Sequence, residues 1–163
     1  MFAQHFIDSL DFAYNGKEIK GEVPLIEMPR LQDKLVAPEG VISFVVRGYQ
    51  DKNDQPMLEV TLSGLCQLCC QRCLNTLAYP LQLSSHLRLV PEGELNEFAD
   101  EEDEQDSITA DQRLDVLALL EEEILLSLPF APVHPLGTCQ SVAEGLDRSV
   151  KNPFAVLAGL KSK

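Results

Sequence analysis

Four of the five cysteines in this 163-residue chain lie close together, between Cys66 and Cys73. They form two successive C-x-x-C units, Cys66/Cys69 and Cys70/Cys73. A C-x-x-C unit lets two thiolates converge on one metal ion, and a tetrahedral zinc site then needs two further ligands. Those ligands must come from a distant part of the chain. The cysteine run therefore constrains the fold more than any other feature of the sequence.

The second pair of ligands is available much later, where His134 and Cys139 have the spacing H-x4-C. Cys70, Cys73, His134 and Cys139 would form a Cys3His structural zinc site that joins the end of a helix to a β region. Two other interpretations stay open. The thiols bind no metal, or they form a redox switch, since neighbouring thiols can condense to a disulfide. A thioredoxin-like active site is not expected, because its C-x-x-C opens a helix in a βαβ unit.

Three consecutive segments between residues 41 and 90 have strand patterns. Val41 to Tyr49 is rich in β-branched and aromatic residues. Met57 to Leu65 alternates between apolar and polar side chains, and Leu77 to Val90 places leucines on one face. The polar residues 51–56 connect the first two segments and predict a hairpin.

Residues Leu114 to Leu128 show the strongest helix pattern, and Pro129 ends it. The predicted apolar face consists of Leu117, Leu120, Ile124 and Leu128. Glu121 to Glu123 are interpreted as a solvated face. Short helices are predicted at residues 6–14 and 25–35. The expected fold class is α+β: a small antiparallel β-sheet or partly open barrel, with a packed long helix and short N-terminal helices.

The chain length fits one domain over residues 1–163. Residues 92–106 hold nine carboxylates, which repel one another and have few apolar neighbours. We expect a mobile acidic loop there, either as a solvated spacer or as a clamp on a basic partner. The end of the chain is predicted to be a flexible tail.

The net charge of −13 argues against a large electrostatic contact with nucleic acid, which relies on Lys and Arg. It suits a basic protein partner. A local basic patch remains compatible with RNA contact. The C-terminal residues Arg148, Lys151, Lys161 and Lys163 have no carboxylate among them and are the predicted partner-binding residues.

The N-terminus lacks the basic start and apolar core of a signal peptide. No apolar run has the length of a membrane span. We therefore expect a cytoplasmic protein with no membrane partner. Phosphate-binding Gly-rich loops and a G-x-S-x-G nucleophile motif are missing from the sequence. The sequence thus predicts no enzymatic activity and no small-molecule substrate.

Three groups of segments carry a resemblance to a known family. The first is Leu65–Leu74 with Tyr79–Leu81, the second is Leu114–Pro129 with Pro132–His134 and Cys139, and the third is Asn152–Leu157. Together they resemble the YceD family, the large ribosomal RNA subunit accumulation proteins. The resemblance covers most of the chain and is strongest over residues 60–163.

The resemblance implies a role in synthesis, processing or stability of 23S ribosomal RNA, and so in biogenesis of the large ribosomal subunit. It implies large-subunit rRNA or pre-ribosomal particles as partners, with basic ribosomal proteins as further candidates, and no catalytic activity. Cys70, Cys73 and Cys139 match the family's recurrent cysteine positions, whereas Cys66 and Cys69 are additional. The alternative function is a cysteine-based regulatory protein that responds to zinc or to oxidants.

Overall fold

The structure is a computed structural model and describes residues 6–93 and 106–139. The strands are β1 (Phe6–Ile7), β2 (Glu18–Pro24), β3 (Leu35–Ala37), β4 (Val41–Gln50), β5 (Pro56–Cys69), β6 (Thr76–Val90), β7 (Asp106–Thr109) and β8 (Leu114–Asp115). The α-helices are α1 (Ser9–Tyr14) and α2 (Val116–Ser127), and the 3-10 helices are Leu25–Glu27 and Pro29–Lys34. The predicted tail and most of the predicted acidic loop lie outside the described residues.

The main sheet has the strand order β2-β4-β5-β6-β7, with β3 pairing to β5. All of its pairs are antiparallel except β6 with β7, which is parallel. β1 and β8 form a separate two-stranded sheet. The α+β class is confirmed, and the described strands form an open sheet. The sheet extends beyond residues 41–90, because β2, β3 and β7 join it.

The alternating patterns of the three predicted strands place their apolar side chains in one core. The core side chains of these strands include Ile42, Phe44 and Val46 from β4, Leu58, Val60 and Leu62 from β5, and Leu81, Leu87 and Leu89 from β6. Cross-strand pairs such as Phe44 with Leu62 bring these residues together. Both α-helices and both 3-10 helices add buried residues to the same cluster.

The helix predicted over residues 114–128 is shorter at its start. Leu114 and Asp115 pair with β1, and the Asp115 carboxylate then caps α2 by accepting hydrogen bonds from Leu117 N at 3.0 Å and Ala118 N at 3.3 Å. The expectation of a solvated Glu121–Glu123 face is wrong for two of the three residues. Glu121 is 4% exposed and Glu123 is 7% exposed.

The N-terminal predictions also need correction. Phe6 and Ile7 belong to β1, and only residues 9–14 form a helix. The helix predicted at 25–35 is a pair of 3-10 helices, and Pro29 begins the second of them. Asp106, predicted to lie in the acidic loop, begins β7. None of the helices in residues 6–93 and 106–139 has both the length and the apolar character of a membrane-spanning helix.

Gly48 lies where α1 crosses β4, and a side chain there is expected to destabilise the fold. A Cβ atom at this position would lie 2.3 Å from the carbonyl oxygen of Phe12 and 2.7 Å from the Cα of Ala13. Because both are backbone atoms, Gly48→Ala must separate helix from strand. We expect a loss of about 1–3 kcal/mol in the free energy of unfolding, measured by urea denaturation.

The matched control for this prediction is Ser43→Ala on the same strand. Ser43 is exposed, so its replacement should change the free energy of unfolding by less than about 0.5 kcal/mol. Equal stability of the two variants would contradict the close packing of α1 on β4.

Candidate metal centre

The first half of the candidate site is the turn between β5 and β6. Cys70 N donates to Asn75 O at 2.9 Å, and Leu74 N donates to Cys70 O at 2.8 Å. Leu74 has a left-handed backbone with φ of 59°, which lets the chain reverse within a few residues. The side chains of Cys70 and Cys73 are buried inside this turn.

The second half is the segment 128–139, which follows α2 and returns to the turn. Gln71 N donates to Pro132 O at 2.8 Å. The guanidinium of Arg72 donates from Nη2 to His134 O at 2.6 Å and from Nε to Cys139 Sγ at 3.0 Å. These bonds place the H-x4-C pair against the C-x-x-C turn.

The structure brings the four predicted ligands together, with one ligand atom from each lying within 4.8 Å of the others. Cys70 Sγ is 3.8 Å from Cys139 Sγ, and His134 Nδ1 is 3.4 Å from Cys73 Sγ and 3.8 Å from Cys139 Sγ. Zn–S and Zn–N bonds in a tetrahedron give ligand separations of about 3.8 Å for two sulfurs and about 3.5 Å for sulfur and nitrogen. These separations in the cluster therefore match those expected around a single, tetrahedrally coordinated metal ion.

The orientation of His134 is set by a hydrogen bond on the far side of its ring. Nε2 lies 3.2 Å from the carbonyl oxygen of Thr76. A carbonyl can only accept, so this bond places the ring proton on Nε2. Nδ1 then presents its lone pair to the three sulfurs, as in metal sites where a carbonyl fixes the histidine tautomer.

The other C-x-x-C unit does not join the cluster. Residues three apart on a strand point to opposite faces, and Cys66 and Cys69 both lie on β5. Cys66 is buried in the hydrophobic core, where burial raises the pKa of its thiol. Cys69 Sγ lies 3.7 Å from Leu74 O. Their exclusion from the four-residue site agrees with the prediction.

Backbone donors favour the ionised form of Cys70. Burial raises the pKa of this thiol, but N–H groups of Cys73, His134 and Arg72 point toward the sulfur and hold its pKa at about 5. His134 N, for example, lies 3.4 Å from Cys70 Sγ. Cys70 is thus a thiolate at neutral pH, and the thiolate is the form that binds metal.

The close approach of the sulfur atoms also shifts the pKa values of Cys73 and Arg72. The N–H of Asn75 lowers the pKa of Cys73, but burial and the Cys70 and Cys139 thiols raise it above its ordinary value. The hydrogen bond from Arg72 to Cys139 raises the pKa of the guanidinium further. Arg72 was not among the predicted site residues. Its position inside the C-x-x-C unit was the only sequence signal for its role.

The fold and the cluster define a class of protein. It is a small α+β protein in which two cysteines from a turn between strands, and a histidine and a cysteine that follow a helix, form a Cys3His cluster. The family model for "Large ribosomal RNA subunit accumulation protein YceD" matches residues 58–161, and the chain belongs to this family. The match includes residues 58–69 of β5, the whole of β6 and α2, and all four cluster residues. No solved structure matches the chain. The predicted partner-binding residues Arg148, Lys151, Lys161 and Lys163 lie outside the described residues.

Proposed function

We propose that this protein supports synthesis, processing or stability of 23S rRNA as a non-enzymatic factor, and that its Cys3His cluster holds a structural zinc ion. The family description names accumulation of the large ribosomal RNA, which synthesis, processing or stability of that RNA would each support. The observation that carries the proposal is the convergence of the four ligand atoms within 4.8 Å, inside the region that matches the family.

The donor set favours zinc in a structural role. Three thiolates and one imidazole are soft or borderline ligands that suit a tetrahedral zinc ion. Catalytic zinc sites keep one position open for water, whereas four protein ligands fill the coordination sphere. The cluster therefore supports a role in holding the chain together, which agrees with the absence of an enzymatic step in the proposal.

Zinc would hold the segment 128–139 against the tip of the β5–β6 hairpin. Apolar side chains would then be exposed at this end of the molecule. Phe130, Leu136 and Leu74 are exposed on these two pieces of chain. Residues 60–91 and 124–139 contain no Asp or Glu, although the whole chain has 26. Phe130 offers an aromatic face on which an unpaired base can stack, and these two stretches add no carboxylate that would repel the phosphates. This end of the molecule supports the proposed contact with rRNA.

Deletion of the gene tests the proposed function. We expect a selective fall in the ratio of 23S to 16S rRNA in growing cells, with accumulation of unprocessed 23S precursor. The wild-type gene and a Cys69→Ser variant should restore the ratio, because Cys69 lies outside the cluster. A Cys70→Ser/Cys73→Ser variant, expressed to the same level, should not. A ratio that is unchanged by the deletion across growth conditions would contradict the rRNA role.

A second function is favoured by one distance, the 3.8 Å between Cys70 Sγ and Cys139 Sγ. In a redox-responsive regulator, hydrogen peroxide would take two electrons from the Cys70 thiolate and the Cys139 thiol, forming a disulfide, one water molecule and one hydroxide ion. Protein purified under reducing conditions distinguishes the two functions. Bound zinc supports the structural role, whereas metal-free protein that forms this disulfide with peroxide supports the regulator.

A further inference from the structure

A groove lies between α2 and β7, away from the cysteine cluster. Its volume is about 510 Å³, and both polar and apolar side chains line it. Leu87, Ile108 and Leu126 contribute apolar walls, and Asp106, Glu122 and Glu123 contribute carboxylates. Leu126 is 75% exposed. The groove thus combines an open apolar surface with negative charge.

Glu123 is the unusual residue of this groove, because its side chain is more than nine-tenths buried yet lines the cavity. Its two neighbours have partners: Glu121 accepts from Arg30 N at 2.5 Å, and Glu122 lies 3.4 Å from Arg30 Nη1. No residue in the described parts of the chain donates to Glu123. The Glu123 carboxylate opens into the groove, where a cation or other donor can reach it and form a charge-assisted hydrogen bond.

The strand that lines the groove is also an edge strand. All four residues of β7 contribute to the lining, and β7 ends the strand order of the described sheet, with β6 on one side only. An edge strand presents unpaired backbone N–H and C=O groups, and an extended peptide can pair with them. The groove therefore offers backbone pairing along one wall and carboxylates along the other.

We infer that this groove binds an extended basic segment of a partner protein, with a Lys or Arg side chain reaching Glu123. The aliphatic stems of Lys and Arg cover apolar surface while their charged ends reach a carboxylate. Such a peptide matches the apolar walls, the negative charge and the open strand edge together. The inference goes beyond the rRNA role, because the groove and the cysteine cluster use different residues.

Binding of a defined peptide to the full chain tests the inference. The probe is fluorescently labelled Lys-Val-Lys-Val-Lys-Val-Lys, and its affinity is measured by fluorescence anisotropy at physiological salt. Glu123→Gln should weaken binding about tenfold or more, since it removes a charge-assisted hydrogen bond in a partly buried site. The control Glu18→Gln removes the same charge from an exposed position on β2 and should have little effect.

A second variant keeps the test decisive if Glu123→Gln disturbs folding. Leu126→Arg places a cation in the groove at a largely exposed position and should abolish binding. Ile26→Arg is its control, because Ile26 is also exposed and lies outside the groove. Loss of affinity only in Glu123→Gln and Leu126→Arg supports the inference.

Three outcomes would overturn it. The peptide does not bind the full chain, or Glu123→Gln and Glu18→Gln weaken binding equally, which indicates general charge attraction. In the third outcome, a photo-crosslinker at position 126 reacts with residues 148–163 of the same chain. The groove would then be occupied by the C-terminal segment of the chain itself. Each result concerns the groove, and the rRNA ratio in cells tests the proposed function separately.

Discussion

Replacing Cys73 with serine is expected to reduce bound zinc from about one ion per chain to less than about a tenth. Serine keeps its proton at neutral pH and cannot replace a thiolate, so the cluster loses the ligand that lies 3.4 Å from His134 Nδ1. Zinc is measured by mass spectrometry of the protein purified under reducing conditions without chelators. The Cys69→Ser control should retain its zinc, because Cys69 lies outside the cluster.

The same variant should be much less stable than the wild type. Cys73 and His134 are 61 residues apart, so the metal closes a long loop in the way that a disulfide does. We expect a loss of about 3 kcal/mol or more in the free energy of unfolding. Treating the wild type with a chelator should give the same loss, and should change Cys73→Ser little.

Hydrogen exchange locates the effect within the structure. The amide of Gln71 is protected by its bond to Pro132 O, and this contact joins the two halves of the cluster. Without metal, this amide should exchange faster, while amides in the centre of the β4–β5 pair stay protected. A Cys73→Ser variant that retains zinc, or a Cys69→Ser variant that loses it, would show that the ligand set is wrong.

The cluster was predictable from the sequence because its chemistry leaves few choices. Among the five cysteines and three histidines, the C-x-x-C units supply closely spaced thiols, and the H-x4-C pair follows the strongest helix pattern. The division of the cysteine run was harder to predict. It depends on β5 extending through Cys69, which places Cys66 in the core and leaves only the second C-x-x-C unit in the turn.

The central strands were predictable for a different reason. One face of β4, β5 and β6 is buried, so their side chains alternate. β2 has the sequence EIKGEVP, whose charged residues, glycine and proline are typical of an edge strand. β7 has only four residues and follows a run of carboxylates. Neither edge strand carries a local pattern strong enough to distinguish it from a loop.

The three consecutive glutamates of α2 show what a helical pattern alone cannot predict. Successive residues of a helix point in directions about 100° apart, so the three glutamates cannot share one face. Glu121 and Glu123 are buried in the structure, and what each of them contacts depends on distant segments of the chain. Glu121 meets the backbone of the 3-10 helix Pro29–Lys34, and Glu123 meets the groove beside β7.

Glu121→Ala is accordingly expected to destabilise the protein by about 2–3 kcal/mol. Glu121 accepts a hydrogen bond from Arg30 N, in the first turn of a 3-10 helix, where backbone N–H groups lack partners within the helix. Alanine removes a charged acceptor and leaves that N–H without its partner. The free energy of unfolding is measured by urea denaturation.

The adjacent residue provides the matched control, since Glu122→Ala makes the same chemical change one position along the helix. Glu122 is exposed and its ion pair with Arg30 is a surface contact, so the change should cost less than about 1 kcal/mol. Glu121→Gln keeps an acceptor for Arg30 N and should lie between the two alanine variants. Equal losses in both alanine variants would mean that the buried position of Glu121 contributes nothing to stability. A larger loss at Glu121 would show that this glutamate joins α2 to the 3-10 helix.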